Sequence, residues 1–167
     1  MSVEKILTAE QVVQRLRSHR KSGQSIVFTN GCFDLIHAGH VRYLTEAKAL
    51  GDVLVIGLNS DNSVRRIKDS GRPLVAQDQR AEVLAGLSCV DYITFFDDPD
   101  PYELIRAVSP DILVKGADWE ERDIIGGDLV TSSGGRVERI RLVPGIFTSM
   151  IIRRILERYS GKTGPGE

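Results

Sequence analysis

The stretch SIVFTNGCFDLIHAGHVRYLTEAKALGDVLVIGL, residues 25–58, decides the fold. It begins with an apolar, β-branched run at residues 25–31 that ends in Asn-Gly, a pattern typical of a strand buried on both faces. Apolar and charged residues then alternate with helical spacing over residues 39–50, and Gly51 ends that helix. A second buried strand follows at residues 52–58. A strand, a loop, a helix and a strand within about 34 residues predict a right-handed βαβ unit with parallel strands.

Helical and strand-like patterns alternate through the rest of the chain. Thr8 and Gln11 match a capping box that opens a first helix at residues 9–19. Asp100 and Pro101 are interpreted as the N-cap and first residue of another helix, which runs to Val108. Further helices are predicted at residues 77–87 and 148–159, and further strands at residues 92–96, 112–115 and 137–142. This alternation predicts a Rossmann-like α/β fold, a doubly wound sheet of about five parallel strands.

The length of 167 residues suits one domain with one core. We expect that domain at residues 25–160, with an N-terminal helix at residues 1–24 packed on it. The polar, glycine-containing segment at residues 161–167 is predicted to be a disordered tail.

The composition limits the kinds of partner that this chain can have. A formal net charge of −1 leaves no basic field for a nucleic-acid backbone. No run reaches the roughly 18 apolar residues of a membrane-spanning helix, and the N-terminus lacks the apolar core of a signal peptide. Cys32 and Cys89 form no CxxC pair, which argues against a disulfide framework or a zinc knuckle. We therefore expect a soluble cytoplasmic protein with no nucleic-acid and no membrane partner.

The loop at residues 31–40 is predicted to be an anion site. Ligands of open parallel sheets bind beyond the carboxyl ends of the strands, and the following helix offers unpaired N–H groups at its N-terminus. Gly31 allows a sharp exit from the strand, and Gly39 allows a ligand to approach the backbone closely. His37 and His40 are three residues apart, so both rings can point toward one phosphate. A metal site is disfavoured, because few ligands other than these histidines lie nearby.

The segment TNGCFDLIHAGHVRYL, residues 29–44, resembles the HxGH signature of the nucleotidyltransferase (cytidylyltransferase-like) superfamily. Across about residues 25–158 the chain further resembles the adenylyltransferases that make ADP-heptose from heptose 1-phosphate. The additional matching segments are LNSD at 58–61, RRIKDSGRP at 65–73, QR at 79–80, LVKGADW at 113–119 and PGIFTSMIIRRI at 144–155.

The resemblance implies that AMP passes from ATP to a heptose 1-phosphate, with pyrophosphate leaving and no covalent intermediate. Because the attacking phosphate oxygen is already ionised at neutral pH, such a reaction needs no general base. The resemblance also implies Mg²⁺, bound through the triphosphate and water rather than by dedicated carboxylates. It implies ATP and a sugar phosphate as small-molecule partners, surface-glycan (lipopolysaccharide-type) biosynthesis as the pathway, and a homodimer.

The resemblance also assigns residues to roles. His37, His40 and Lys68 are expected to be catalytic, the histidines as ligands of the α- and β-phosphates. The expected nucleotide-binding residues are Cys32, Phe33, Gly39, Lys115, Gly116, Asp118, Thr148 and Ser149. The expected substrate-binding residues are Asn59, Asp61, Arg72 and Arg80.

Three further residues near these segments receive other interpretations. Phe147 departs from the family's G-x-S-T-T and removes one hydroxyl from that motif. Asp34 is expected to organise the loop through hydrogen bonds to backbone groups. Trp119 is interpreted as simple packing.

Other functions remain open at this point. The same chemistry could use glycerol 3-phosphate with CTP, or phosphopantetheine with ATP, because the acceptor pocket and not HxGH selects the acceptor. A non-catalytic nucleotide-binding module is an alternative of another class. A redox or metal protein would rest on the cysteines and histidines alone, and it predicts bound metal or a titratable Cys32 thiolate.

Overall fold

A computed structural model describes residues 2–69 and 71–160, so the predicted tail lies outside the described residues. The strands are β1 (Ile26–Gly31), β2 (Val53–Asn59), β3 (Tyr92–Phe96), β4 (Ile112–Gly116) and β5 (Arg136–Ile140). The helices are α1 (Ala9–Lys21), α2 (Ala38–Lys48), α3 (Asp61–Ile67), α4 (Gln77–Ala85), α5 (Tyr102–Val108), α6 (Gly127–Ser132) and α7 (Thr148–Tyr159). Short 3₁₀ turns occupy Ser2–Lys5 and Glu121–Asp123. Within the described ranges, no helix has the length and apolar character needed to cross a bilayer.

The five strands form one parallel sheet in the order β3-β2-β1-β4-β5. The chain adds strands on one side of β1 first and then returns to the other side with β4, so the direction of winding reverses between β1 and β4. Ligands of such folds bind beyond the carboxyl ends of the strands at this reversal. The predicted doubly wound, Rossmann-like sheet is confirmed.

Each face of the sheet is covered by helices. On one face Leu44 of α2 and Leu84 of α4 pack against the side chains of Leu54 and Ile56. On the other face Leu16 of α1 and residues of α5 and α6 pack against the opposite side chains of the same strands. The capping box of Thr8 and Gln11 forms as expected and starts α1, which therefore shares the core of the sheet.

The strand and helix boundaries differ from the sequence predictions by a few residues. Three helices need comment: two that were not predicted and one whose start is shifted. The short helices α3 and α6 were not predicted, because six or seven residues carry too little periodicity to identify a helix. The start of α5 is also shifted: Pro101, with φ −85° and ψ 10°, occupies the N-cap position, and Tyr102 is the first helical residue. Asp100 still accepts a hydrogen bond from the N–H of Tyr102 at 2.9 Å, so its capping chemistry is kept one position away.

Candidate active site

A cavity of about 610 Å³ lies at the carboxyl edge of the sheet, above the reversal between β1 and β4. The ends of β1, β2 and β4, the N-terminus of α2 and the start of α7 form its walls. The predicted site residues on these walls are Cys32, Phe33, His37, Gly39, His40, Asn59, Lys68, Arg72, Lys115, Gly116, Asp118, Thr148 and Ser149. Asp61 and Arg80 were also predicted, but they lie outside the lining.

His37 and His40 form a stacked pair on the wall of the cavity. Their ring centroids are 3.9 Å apart and their planes differ by 18°. His37 is the residue before α2 and His40 lies in the first turn, which brings both rings to the helix N-terminus. The Nδ1 atoms of both rings are buried and have no hydrogen-bond partner among the described residues. The helix N-terminus beside the cavity suits an anion that arrives with the substrate.

Burial makes this histidine pair neutral at physiological pH. Burial lowers the pKa of His37, and the same cause lowers the pKa of His40 to about 4. The neighbouring His37 and Arg72 lower the pKa of His40 further, and Asp34 opposes them. A neutral imidazole donates one hydrogen bond, and a nearby anion would favour its charged form. The pair can therefore become more cationic when a polyphosphate binds.

The loop before α2 is held in an unusual backbone conformation. Phe33 and Leu35 have φ angles of +46° and +51°, in the left-handed region that side chains other than glycine rarely adopt. The rings of Phe33 and His40 pack in a T-shaped arrangement, with centroids 5.3 Å apart and planes 64° apart. A Cβ at Gly39 would lie 3.0 Å from the ring of His37, so glycine at this position makes room for the stacked imidazole. This is a packing role that the sequence did not indicate.

Asp34 connects this loop to two other walls of the cavity. Its side chain is fully buried and accepts hydrogen bonds from Nε of Arg72 at 2.5 Å and from the N–H groups of Leu74 and Val75 at 2.9 and 3.0 Å. Burial alone would raise the pKa of Asp34, but the hydrogen bonds from Leu74, Arg72 and Val75 lower it. The carbonyl of Asp34 accepts a bond from Oγ1 of Thr148 at 2.9 Å. Asp34 thus organises the segment at 72–75 and the start of α7 as well as its own loop.

Lys115 and Asn30 meet where β1 and β4 end. Nζ of Lys115 donates to Oδ1 of Asn30 at 2.6 Å and lies 5.7 Å from the centre of the Trp119 ring. Burial lowers the pKa of Lys115 to about 8, while Asp118 acts in the opposite direction. Trp119, interpreted from the sequence as simple packing, lines the cavity and is 48% exposed.

Arg80 has a different position from the one that the resemblance implies. Its side chain is 1% exposed, and its guanidinium donates to protein groups from every nitrogen. Nε donates to the carbonyl of Val75 at 2.9 Å, and Nη1 donates to the carbonyl of Cys32. Nη2 donates to the carbonyl of Asn59 at 3.0 Å and to Oδ1 of Asp61 at 2.7 Å. Arg80 and Asp61 therefore lie outside the cavity lining and hold the cavity wall in place through these hydrogen bonds.

The remaining predicted residues contribute in unequal ways. Lys68 follows α3 and is exposed at the cavity edge, where its side chain can turn toward a ligand. The hydroxyl of Thr148 donates to Asp34, so its proton is not available to a phosphate. Phe147 precedes α7, provides no side-chain cap and lines the cavity. Burial raises the pKa of Cys32, with Lys68, Arg80 and Arg72 opposing it, which disfavours a reactive thiolate.

Comparisons with known proteins identify the family of the chain. The cytidylyltransferase-like family model matches residues 28–153. The chain is 54% identical over 155 residues to the bifunctional protein HldE of Syntrophotalea carbinolica, covering 93% of this chain and 32% of that protein. It is 50% identical over 154 residues to the bifunctional protein HldE of Wolinella succinogenes, covering 92% and 32%. The chain thus spans about a third of the length of these curated relatives.

Two solved structures show the same architecture. The lipopolysaccharide core biosynthesis protein from Thermoplasma volcanium superposes with a TM-score of 0.61 at 28% identity, covering 72% of this chain and 98% of that one. The pantoate-beta-alanine ligase from Francisella tularensis, complexed with beta-gamma ATP and beta-alanine, gives a TM-score of 0.60 at 15% identity. That second match covers 97% of this chain and 81% of the ligase, and it bears on the fold alone.

Proposed function

Because the chain belongs to the cytidylyltransferase-like family, we propose that it is a nucleotidyltransferase that moves AMP from ATP to a heptose 1-phosphate. The products are ADP-heptose, an activated sugar for lipopolysaccharide-type surface glycans, and pyrophosphate. The stacked pair of His37 and His40 at the N-terminus of α2, facing the cavity, is the observation that carries the reaction class. The resemblance to ADP-heptose-forming enzymes and the similarity to HldE proteins support the choice of acceptor.

The triphosphate binds where the histidine pair meets the positive end of α2. The rings of His37 and His40 donate hydrogen bonds to oxygens of the α- and β-phosphates, and the N–H groups of the loop around Cys32 and Phe33 complete the cradle. The bound polyanion raises the pKa of both imidazoles, and the resulting positive charge strengthens their contact with the phosphates.

The chemical step is an in-line attack by an oxygen of the sugar phosphate on the α-phosphorus of ATP. The bond from the α-phosphorus to its bridging oxygen breaks, and pyrophosphate leaves with the electron pair. No protein nucleophile and no general base take part, because the attacking oxygen is already an anion. Arg72, held at Nε by Asp34, keeps its two terminal nitrogens for phosphate oxygens, and Lys68 closes over the leaving group.

Mg²⁺ fits this site as an ion that the triphosphate brings with it. The described residues contain no cluster of three or more histidine, cysteine or acidic side chains suited to a metal. The carboxylate of Asp34 already accepts three hydrogen bonds, which leaves Asp100 and Asp118 on the cavity wall to hold the water shell of the ion. When bound, the ion neutralises charge on the phosphates.

The proposed setting is a homodimer in the cytoplasm. The apolar residues Ile155, Leu156 and Tyr159 of α7 are 48%, 58% and 60% exposed, and they share one side of the helix with Ile151 and Ile152. A second copy of the chain would cover this side. ATP as a substrate and the free thiols of Cys32 and Cys89 suit the cytoplasm.

Pyrophosphate release with each nucleotide and acceptor tests the proposal. The protein should release pyrophosphate with ATP and heptose 1-phosphate at least tenfold faster than with CTP and glycerol 3-phosphate or with ATP and phosphopantetheine. Replacing His37 with Ala should lower kcat by about 10²- to 10³-fold, by analogy with other preorganised donors. If the protein turned over only CTP with glycerol 3-phosphate, heptose 1-phosphate would be rejected as the acceptor. Negligible turnover by the wild type and His37→Ala proteins alike, while ATP still binds, would favour a non-catalytic nucleotide-binding module.

A further inference from the structure

The strands β1 and β4 separate below the cavity. The pairing of β1 with β2 reaches Gly31, and the pairing of β4 with β5 reaches Gly116. Between β1 and β4, however, the last paired residues are Phe28 and Leu113. The final residues of these two neighbouring strands are therefore not joined to each other by the sheet, and the gap between them forms the floor of the cavity.

Tyr43 of α2, a partly buried residue on the cavity lining, bridges this gap with its phenol. The hydroxyl of Tyr43 lies 2.8 Å from Oγ1 of Thr29 on β1 and donates to the carbonyl of Val114 on β4 at 3.1 Å. Because Tyr43 has a single hydroxyl proton, the hydroxyl of Thr29 is the donor in the first bond. Burial raises the pKa of Tyr43, so the phenol stays protonated and the bridge persists at physiological pH.

A second bridge lies one residue further toward the cavity. Lys115, which follows Val114, donates to the side chain of Asn30, which follows Thr29. Two successive side-chain bridges thus replace the backbone bonds that β1 and β4 lack at this end. The first bridge belongs to α2, the helix that carries His40 three residues before Tyr43, on the same side of the helix.

We propose that Tyr43 is a positioning residue, which sets the depth of α2 over the gap and so the place of His40 relative to Lys115. The inference rests on the proposed function, because it assigns Tyr43 to the same reaction. Loss of the phenol hydroxyl frees α2 to shift against the end of β4 while the core contacts of Leu44 and Ala47 remain. A displacement of the catalytic donors lowers turnover more than it lowers ground-state binding.

The test compares Tyr43→Phe with Tyr92→Phe. Tyr92 is the control, because its hydroxyl also makes a hydrogen bond to another element, with Nε2 of His19 at 2.8 Å, yet Tyr92 lies at the opposite end of its strand from the cavity. The single tryptophan, Trp119, reports ATP binding by fluorescence because it lines the cavity. Tyr43→Phe should lower kcat about 10- to 100-fold and change the Kd of ATP less than threefold, whereas Tyr92→Phe should keep both within twofold.

Equal kcat values in wild type and Tyr43→Phe, or equal losses in Tyr43→Phe and Tyr92→Phe, would overturn the proposal. If Tyr43→Phe fails to fold, Thr29→Val removes the first bond alone and should lower kcat about threefold at unchanged Kd; no change in kcat would again overturn it. If the wild type shows no turnover with ATP and heptose 1-phosphate, the proposed function fails by itself. The ring resonances of His40 in NMR spectra then decide: a shift in Tyr43→Phe but not in Tyr92→Phe supports the positioning role, and no difference rejects it.

Discussion

Lys115 and His40 both line the cavity, and burial disfavours the charged form of each. Burial lowers the pKa of Lys115 to about 8 and the pKa of His40 to about 4. At pH 7 the histidine is therefore neutral, while Lys115 keeps most of its charge. The cavity therefore carries less positive charge than its residue types suggest, and a bound polyanion would raise both pKa values.

The lowered pKa of Lys115 predicts a loss of activity on the alkaline side. Lys115 is protonated below pH 8 and neutral above it, so a cation that attracts ATP disappears as the pH rises through 8. We expect kcat/KM for ATP to fall about tenfold between pH 7 and pH 9.5, because this ratio reports the ionisation of the free enzyme. Steady-state kinetics across that range measure the effect.

Lys115→Arg is the matched variant for this measurement. Arginine stays charged to far higher pH, so the variant should keep a flat profile through pH 9.5. Profiles of wild type and Lys115→Arg that decline together would show that another group causes the loss.

At the scale of whole elements, Arg80 joins parts of the chain that are far apart in sequence. From α4 it reaches the loop after β1 at Cys32, the end of β2 at Asn59 and the segment after Pro73 at Val75. It also pairs with Asp61 at the start of α3. The wall of the cavity therefore depends on one buried guanidinium.

Removal of this guanidinium should destabilise the fold. In Arg80→Met three carbonyls lose their donor and Asp61 loses its partner, at a cost of about 2–4 kcal/mol in the free energy of unfolding. Arg106→Met is the control, since its ion pair with Glu103 is exposed and contributes less than about 1 kcal/mol. Urea denaturation measures both. If Arg80→Met lowered the free energy of unfolding no more than Arg106→Met does, Arg80 would not be the residue that holds these segments together.

The buried position of Arg80 could not be predicted from the amino-acid sequence, whereas other parts of the site could. The strands and the HxGH loop could be predicted because buried parallel strands are apolar runs and a helix N-terminus follows β1 directly. A charged residue on a helix is usually exposed, and the carbonyls that bury Arg80 come from Cys32 and Asn59, 48 and 21 positions away. The exposure of Trp119 could not be predicted for a similar reason, because long-range packing decides it, whereas α6 is too short to show helical periodicity.

At the scale of the whole molecule, the strand order brings three cationic residues of a nearly neutral chain to one cavity. The net charge is −1, yet Lys68, Arg72 and Lys115 all line one cavity. The reversal between β1 and β4 places Asn30 and Lys115 side by side, and Asp34 draws Arg72 toward the histidine pair. Local concentration of charge, rather than overall charge, is what makes the molecule suited to a small polyanion.

The exposed apolar side of α7 predicts the assembly of the molecule. Although α7 is strongly amphipathic, none of its residues is fully buried within the described part of the chain, and Ile155, Leu156 and Tyr159 are about half exposed. We expect a homodimer of twice 18.5 kDa, about 37 kDa, in light scattering after size-exclusion chromatography.

A lysine at the centre of a dimer contact would bury an unpaired charge, so Leu156→Lys should yield monomers at micromolar concentration. Val83→Lys changes an equally exposed residue on α4 and should remain dimeric. A monomeric wild type, or a Leu156→Lys protein that stays dimeric, would exclude this contact between two copies. A different segment would then cover the apolar side of α7, such as one from the part of the relatives that this chain does not span.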